Sequence, residues 1–367
     1  MSEQICRWGI LSTAGIARKN WQSIRNSGNA TITAVASRSV EKAQAFIDEC
    51  QTQVAFANKP EAVGSYDDLL GRDDVDAVYI PLPTGLRKEW VIKAAKAGKH
   101  VMCEKPCADT VEDLEEMIGA CRENQVQFMD GIMYMHSDRL AAIREALDDG
   151  ESVGQVKRIC AQFSFCAPDE FLESNIRVNS NLEAMGCLGD LGWYTCRMAL
   201  WVMNYEMPEK VTGRLLATRQ NDDSPEPVPM EFSGEMLFAN GVSASFYNSF
   251  LTENMQLLNI SGSKGYLTLD DFVLPYFGNQ LAFQTNSASF SQNGCDFHME
   301  RHSRSHTIPE YSDSKPDAQE TKLFRNFSAI VNQGQVDDLW PEIALKTQRI
   351  LNACLESARN GGQEVAP

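Results

Sequence analysis

"RWGILSTAGIAR", residues 7–18, is the stretch that decides the fold of the first part of the chain. It begins with a short apolar run of the kind found in a buried strand. A turn of small residues then leads into "GIARKNWQSIRNSG", residues 15–28, where Ile16, Trp21 and Ile24 supply an apolar face and Gly28 is suited to the end of a helix. The stretch therefore predicts a strand, a tight turn and a helix.

The same alternation continues to about residue 130. Residues 31–37, 75–80 and 100–104 are short apolar, strand-like segments. Between and after them lie the helix-like segments 40–50, 86–99 and 110–124. Strands that alternate with helices of 10–15 residues indicate a doubly wound parallel sheet. We therefore predict an α/β domain over residues 1–128.

The sequence pattern changes in the second part of the chain. Longer strand-like segments appear, and "ANG" (239–241) and "GSKG" (262–265) are typical hairpin turns; the segments are 155–166, 210–219, 232–250 and 255–270. This pattern predicts an antiparallel sheet in an α+β domain over residues 129–367. Pro341 and Gly361 suit the two ends of a closing helix at about 340–359.

Composition narrows the possible functions of this 367-residue chain. Its net charge is −17 and it has no Lys/Arg cluster, which argues against nucleic-acid binding. No apolar segment is long enough to span a membrane, and the N-terminus lacks the features of a secretory signal. The 11 cysteines form no CxxC pair and lie mostly in apolar segments, which indicates free thiols in a reducing, cytoplasmic compartment.

The turn after the first strand is the first functional signal. A dinucleotide-binding turn carries Gly-x-Gly-x-x-Gly/Ala, and this chain has Ser12, Thr13, Ala14, Gly15, Ile16 and Ala17. Two glycine positions are occupied by Ser12 and Ala14, which are small enough to let the backbone approach a pyrophosphate at the helix N-terminus. Its place between a strand and a helix favours a nucleotide site over a plain connection.

The end of the second strand indicates which cofactor would bind. An NAD site keeps an acidic residue there for the ribose, whereas this chain has Ser37 and Arg38. An arginine can pair with a 2′-phosphate and stack on adenine. The sequence therefore favours NADP, with NAD as the alternative.

Four stretches together carry a family resemblance. They are "YIPLPTGLRKEWVIKAAKAGKHVMCEKPCA" (79–108), "FMDGIMYMHSDR" (128–139), "LGDLGWYTCR" (188–197) and the opening "RWGILSTAGIAR". Together they resemble the Gfo/Idh/MocA oxidoreductases, in particular the branch of dimeric dihydrodiol dehydrogenase and the NADP-linked D-xylose dehydrogenases. The resemblance runs along the whole chain. It implies a Rossmann domain followed by a domain with a large open antiparallel sheet, through which a homodimer or larger oligomer would form.

The resemblance also implies the site residues. Lys105 would lie near the nicotinamide and the substrate hydroxyl, and Tyr194 would be the second catalytic residue. The remaining cofactor contacts would be Leu82, Pro83, Thr84 and Glu104, and the substrate contacts would be Asp190, Trp193, Tyr134 and Arg177. Thr84 stands where the family often has Asn, while Arg87 and Lys88 stand near a common His and are expected to face solvent.

The chemistry of alcohol oxidation explains the two catalytic residue types. A tyrosine has a pKa near ~10 and is a poor base at neutral pH. A nearby lysine ammonium would lower that pKa and stabilise a developing alkoxide. We therefore expect Tyr194 to act as general acid/base and Lys105 to activate it. The resemblance implies a sugar, a cyclic polyol or a trans-dihydrodiol as the substrate.

Two alternatives stay open, and a third, a metal site, is disfavoured. NAD-dependent glycosidases resemble the same family, and a cofactor-binding regulator without turnover would share the fold. His298, His302 and His306 repeat at a spacing of four, which binds zinc on a helix. In a strand that spacing spreads the ligands ~13 Å apart, so we expect no metal site.

Overall fold

The computed structural model describes residues 4–367, and its first half is built around a six-stranded parallel sheet. The strand order is β3-β2-β1-β4-β5-β6, which is that of a doubly wound dinucleotide-binding domain. The elements are β1 Cys6–Leu11, α1 Gly15–Ser27, β2 Ala30–Ala36, α2 Val40–Gln53, β3 Glu61–Val63, α3 Tyr66–Leu70, β4 Ala77–Ile80, α4 Thr84–Lys96, β5 His100–Cys103, α5 Val111–Glu123 and β6 Phe128–Asp130. The predicted α/β class is confirmed.

The second half contains a nine-stranded sheet. Its order is β15-β14-β13-β12-β7-β10-β9-β8, and β11 pairs with β7 beside this path. The elements are α6 Asp138–Asp148, β7 Val156–Cys166, α7 Asp169–Ser174, α8 Gly186–Asp190, α9 Gly192–Val202, β8 Lys210–Arg219, β9 Val228–Leu237, β10 Ser243–Ser249, β11 Leu251–Met255, β12 Leu258–Gly262, β13 Tyr266–Leu269, β14 Leu281–Asn293, β15 Asp296–Ile308, α10 Gln319–Asn332 and α11 Leu339–Arg359. Strands β7 and β10 pair in parallel, so the predicted antiparallel sheet is mixed at that point.

The chain returns to the first sheet at its C-terminal end. The Trp8 indole N–H of β1 donates to Ser328 Oγ of α10 at 3.1 Å, and the Trp8 ring packs against Phe324 at 5.3 Å. Asn26 of α1 donates to the Ser314 carbonyl at 2.7 Å. Helix α10 therefore covers the first sheet although it follows the second one in sequence.

The boundary between the two halves lies close to β6. Because β6 spans Phe128–Asp130, the boundary predicted after residue 128 falls inside the strand. We propose that the first domain ends just after Asp130. No helix among residues 4–367 is long and apolar enough to cross a membrane.

Candidate active site

The N-terminus of α1 forms one end of the site. Ser12 occupies a fingerprint glycine position with φ of 118°, a backbone conformation that normally favours glycine. Its Oγ accepts a hydrogen bond from the Ala14 N–H at 3.1 Å, which holds the turn. A Cβ built on Gly15 meets no atom within 4 Å, so the first turn of α1 faces open space. This end can therefore accept a pyrophosphate close to the backbone.

Lys105 and Asp190 form the centre of the other end. Lys105 follows β5, and Asp190 is the last residue of α8. The Lys105 Nζ donates to Asp190 Oδ1 at 2.6 Å and to the Asp190 carbonyl oxygen at 2.8 Å. On the other side of the carboxylate, Arg177 Nε lies 2.8 Å from Asp190 Oδ2. Asp190 is thus shared between two cations.

Tyr194 lies directly beside this group. The Lys105 Nζ is 4.6 Å from the centroid of the Tyr194 ring, above its face. The ring also packs edge-on against Phe163 at 5.5 Å. Helix α9 begins at Gly192, two residues before Tyr194, so the start of this helix sets the position of the ring. The two residues predicted to be catalytic are therefore in contact, through the Lys105 ammonium and the face of the Tyr194 ring.

The electrostatics differ from the sequence-based expectation. Burial raises the pKa of Tyr194 well above its usual value, and the carboxylates of Glu104 and Asp190 raise it further. The cation that opposes this rise is Arg177, not Lys105. The prediction that Lys105 lowers the Tyr194 pKa was therefore wrong, because Asp190 neutralises the ammonium. Without ligands, Tyr194 is a protonated phenol that can donate a proton.

The Asp190 carboxylate stays ionised in spite of its surroundings. Burial alone would raise its pKa, but Arg177 and Lys105 outweigh burial, and the Asp190 pKa lies well below its usual range. A permanently charged Asp190 keeps Lys105 oriented over the tyrosine ring. We propose that Asp190 positions Lys105, and its contact with a substrate stays a prediction.

Hydrogen bonds fix the carboxylate of Glu104. The Tyr79 hydroxyl donates to Glu104 Oε1 at 2.5 Å, and the Asn20 amide in turn donates to the Tyr79 oxygen at 2.6 Å. The Lys105 backbone N–H donates to Glu104 Oε2 at 3.3 Å. A Cβ on Gly131 would lie 3.1 Å from Glu104 Oε1, so this glycine leaves room for the carboxylate. The Lys105–Pro106 peptide bond is cis.

One cavity of about 690 Å³ connects the two ends. It runs from the first turn of α1 to the Lys105–Asp190–Tyr194 group. The predicted site residues that line it are Ala14, Gly15, Ile16, Leu82, Glu104, Lys105, Arg177, Asp190 and Tyr194. These residues come from both halves of the chain, so the site lies between the two sheets.

Other predicted residues do not line this cavity; they are Ser12, Thr13, Ser37, Arg38, Pro83, Thr84, Tyr134 and Trp193. Ser37 is buried, whereas Arg38 is exposed just beyond the end of β2. Thr84 is buried, and its hydroxyl donates to Glu183 Oε2 at 2.6 Å. Thr84 therefore uses its side chain to join α4 to the second half rather than to face a ligand.

Trp193 and Tyr134 support the site from behind. Trp193 is fully buried, and its indole N–H donates to Asp130 Oδ2 at 2.8 Å. Tyr134 is 1% exposed, and its hydroxyl donates to the Tyr194 carbonyl oxygen at 2.9 Å. Neither residue reaches the cavity, so the predicted substrate contacts at these two positions are replaced by structural ones.

The expected exposure of Arg87 was also wrong. Arg87 is 5% exposed, and its guanidinium donates to the Leu82 carbonyl at 2.7 Å and to Thr84 Oγ1 at 3.0 Å. It lines the cavity and fixes the loop after β4. Lys88 is half-buried and pairs with Asp113 at 2.7 Å.

The histidine stretch is part of strand β15. The His306 ring stacks on Phe283 at 4.5 Å, and His298 Nε2 lies 2.8 Å from Glu300 Oε1. Within residues 4–367 no three His, Cys, Asp or Glu side chains are grouped so that they could hold a metal ion. The three histidines therefore have partners of other kinds.

Lys19, Asn20 and Glu320 are among the cavity residues that were not predicted from the sequence. Lys19 and Asn20 could have been predicted from the spacing, because Ile16, Lys19 and Asn20 lie on one face of α1. Glu320 carried no such signal. It lies 301 residues beyond Lys19, yet its Oε1 is 2.6 Å from the Lys19 Nζ.

Comparison with known proteins follows the same division of the chain. Residues 6–132 match the model of an oxidoreductase family with an NAD-binding Rossmann fold, GFO/IDH/MocA. Residues 140–268 match the GFO/IDH/MocA C-terminal domain. The chain belongs to the GFO/IDH/MocA oxidoreductase family. This membership confirms the resemblance noted in the sequence motifs.

Named relatives of this GFO/IDH/MocA chain are dehydrogenases and reductases. D-xylose 1-dehydrogenase (NADP(+)) 2 of Haloferax volcanii is 32% identical over 71% of this chain and 74% of its own. dTDP-3,4-didehydro-2,6-dideoxy-alpha-D-glucose 3-reductase of Streptomyces violaceoruber is 33% identical over 75% of both chains. Trans-1,2-dihydrobenzene-1,2-diol dehydrogenase of Xenopus laevis is 27% identical over 73% of this chain and 76% of its own.

A solved structure shares the family fold. It is a 3-ketoreductase from Actinomadura kijaniata in complex with NADP and TDP-benzene. The TM-score is 0.79 at 24% identity, over 96% of this chain and 98% of that one. This likeness establishes the fold, including the large second sheet.

Proposed function

We propose that this protein interconverts a CH–OH group and a carbonyl group on a sugar or a related polyol or diol, with NADP as cofactor. The observation that carries the proposal is the contact among Lys105, Asp190 and Tyr194 in one cavity that reaches the N-terminus of α1. A protonated phenol beside a fixed ammonium is the arrangement that carbonyl reduction needs.

The residues present fit a dinucleotide. The first turn of α1 faces open space at Gly15, and the cavity extends from there to Tyr194. When bound, the nicotinamide ring supplies or accepts the hydride. Glu104 and Leu82 line the cavity and would help to hold the ring.

Tyr194 and Lys105 would handle the proton. In the direction of reduction, the Tyr194 hydroxyl donates a proton to the carbonyl oxygen of the substrate, and in oxidation the tyrosine oxygen takes the proton back. The Lys105 ammonium would hydrogen-bond the same substrate oxygen while Asp190, itself paired with Arg177, holds the ammonium in place. Arg177 has a side chain 36% exposed, so it can also contact a substrate hydroxyl.

The preference for NADP rests on Arg38. It is exposed just after β2, where an NAD site would carry an acid. We expect Arg38→Ala to weaken NADPH binding by about 10-fold to 100-fold and to leave NADH binding nearly unchanged, because only NADPH carries the 2′-phosphate. Fluorescence titration of the wild-type and variant proteins with both cofactors measures this.

The same titration can overturn the proposal. Equal loss of both cofactors would assign Arg38 a structural role, and a wild type that binds neither would remove the function altogether. If the wild type binds NADPH, a screen of aldoses, polyols and dihydrodiols, read at the absorbance of reduced nicotinamide, tests turnover.

The relatives support redox turnover over the two other interpretations of the sequence. Those described above are named dehydrogenases or reductases acting on a pentose, a deoxysugar nucleotide or a dihydrodiol. A hydrolase that retains its cofactor would show no net change in nicotinamide absorbance, and a regulator would not need the Lys105–Tyr194 contact.

We also propose a homodimer or larger oligomer formed through the second sheet. Large apolar side chains are exposed along this sheet, among them Leu216, Leu237, Leu251, Met255, Phe290 and Phe297. Pairing with a second copy would remove this surface from water.

The free state of all 11 cysteines supports a reducing, cytoplasmic location.

A further inference from the structure

Lys19 is a cation of the cavity that the mechanism above does not use. It lies on α1 one turn after Gly15, lines the cavity, and keeps 35% of its side chain exposed. Side chains of a helix lean toward its N-terminus, so the Lys19 chain runs back toward the first turn of α1. Lys19 and the first turn of α1 therefore border the same cavity.

The ammonium is held by a buried carboxylate. Glu320 is 3% exposed, and its Oε1 lies 2.6 Å from Lys19 Nζ. Its other oxygen, Oε2, has no hydrogen-bond partner among the described residues. A buried carboxylate with one free oxygen is expensive to maintain, and Lys19 is the cation that compensates it. The pair is thus a built contact between α1 and α10 at the cavity wall.

The neighbouring contacts keep α10 fixed against α1. Arg325 Nε donates to the Ser27 carbonyl at 2.8 Å, and Asn26 donates to the Ser314 carbonyl at 2.7 Å. Glu320 therefore rests on a rigid support. Because the rest of the chain is strongly acidic, a cation fixed beside the α1 N-terminus is the feature that would attract an anion there.

We infer that Lys19, held in place by Glu320, pairs with the pyrophosphate of the bound dinucleotide, so that the C-terminal helix α10 takes part in cofactor binding. This inference rests on the proposed NADP site. Lys19 is the contacting residue, and Glu320 is a positioning residue that acts through it.

Three ligands of decreasing size locate the contact. NADPH and 2′-phospho-ADP-ribose both contain the pyrophosphate, whereas 2′-AMP contains only the adenosine 2′-phosphate. We expect Lys19→Met to raise the Kd of the first two by about tenfold and to leave that of 2′-AMP unchanged. The loss of affinity with added salt would also be less steep in this variant.

Glu320→Gln tests the positioning role. It keeps the shape of the side chain and removes its charge, and we expect about threefold weaker binding of NADPH because Lys19 is held less firmly. In the Lys19→Met background the same substitution should not weaken NADPH binding further, since its weakening effect passes through Lys19. Full additivity of the two effects would overturn the positioning role.

Matched controls separate this inference from simpler causes. Lys96→Met removes an exposed lysine at the far end of α4 and controls for net charge. Asn332→Ala removes a contact at the far end of α10, where its amide donates to the Gln4 carbonyl at 2.7 Å. Both should bind NADPH like the wild type, and thermal unfolding shows whether each variant is folded.

Every other pattern of binding contradicts the inference. Loss of NADPH affinity alone would place Lys19 on the nicotinamide half. Unchanged affinity for all three ligands with a raised KM would place it on the substrate. A wild type that fails to bind NADPH would instead remove the proposed function on which the inference depends.

Discussion

The two ends of the cavity are built in different ways. At the α1 end the first turn of the helix and small side chains form the wall beside the Lys19–Glu320 ion pair. Ser12 and Ala14 replace two glycines of the fingerprint there. At the reacting end, charged side chains from three separate segments meet around Asp190, including Lys105 and Arg177. The α1 turn keeps its shape although two glycines of the fingerprint are replaced, whereas at the other end each charged side chain depends on its neighbours. Substitutions at the two ends should therefore affect binding and turnover separately.

Tyr194→Phe gives the largest expected effect at the reacting end. Removing the hydroxyl should lower kcat by about 10³-fold, because the proposed mechanism takes the proton for the substrate oxygen from this hydroxyl. The NADPH Kd should stay at the wild-type value, since the ring and its packing on Phe163 remain. Steady-state kinetics and a fluorescence titration measure the two quantities.

The pH dependence follows from the same residue. Because burial and the neighbouring carboxylates raise the pKa of Tyr194, the phenol stays protonated over the whole neutral and mildly alkaline range. The rate of carbonyl reduction should therefore be flat from about pH 6 to about pH 9. A fall in this rate centred near neutral pH would assign the proton to a different group.

Asp190→Asn tests the coupling itself. The amide cannot neutralise Lys105 and Arg177, so the ammonium should leave its place over the Tyr194 ring. We expect kcat to fall by about 10²-fold and the free energy of unfolding by about 2 kcal/mol. Kinetics and urea unfolding check the two effects.

The control for this change is the same substitution in a solvent-exposed pair. Asp148 lies 3.6 Å from Arg144 on α6 and is 63% exposed. Asp148→Asn should cost no more than about 0.5 kcal/mol and leave kcat unchanged. If Asp190→Asn behaved in the same way, the carboxylate would not be what holds Lys105.

The two ends also differ in how far the sequence predicts them. Around α1 the strand, turn and helix follow from local pattern, and Ala14, Gly15 and Ile16 lie where the motif places them. At the reacting end Lys105 and Tyr194 were found through family motifs. Their electrostatics were not, because the sequence does not show that Asp190 neutralises Lys105.

Other residues could not be placed from the sequence for the same reason. The Lys19–Glu320 contact joins positions 301 residues apart, and no periodicity links them. The partners of Arg87 and Thr84 come from loops that the tertiary fold brings together. Conversely, Trp193 belongs to the same motif as Tyr194, but the geometry of α9 turns it into the core.

Trp193→Phe should have the smallest effect on turnover. Its indole N–H donates to Asp130, a buried carboxylate that also accepts from Arg197 Nη2 at 2.7 Å. Loss of this charge-assisted hydrogen bond should lower the free energy of unfolding by about 2 kcal/mol and leave the substrate KM unchanged. Trp8→Phe is the matched control, because its N–H donates to the neutral Ser328 hydroxyl, and it should cost about 1 kcal/mol. If Trp193→Phe raised the substrate KM without loss of stability, Trp193 would contact the substrate, as the sequence predicted, and would not merely support the site.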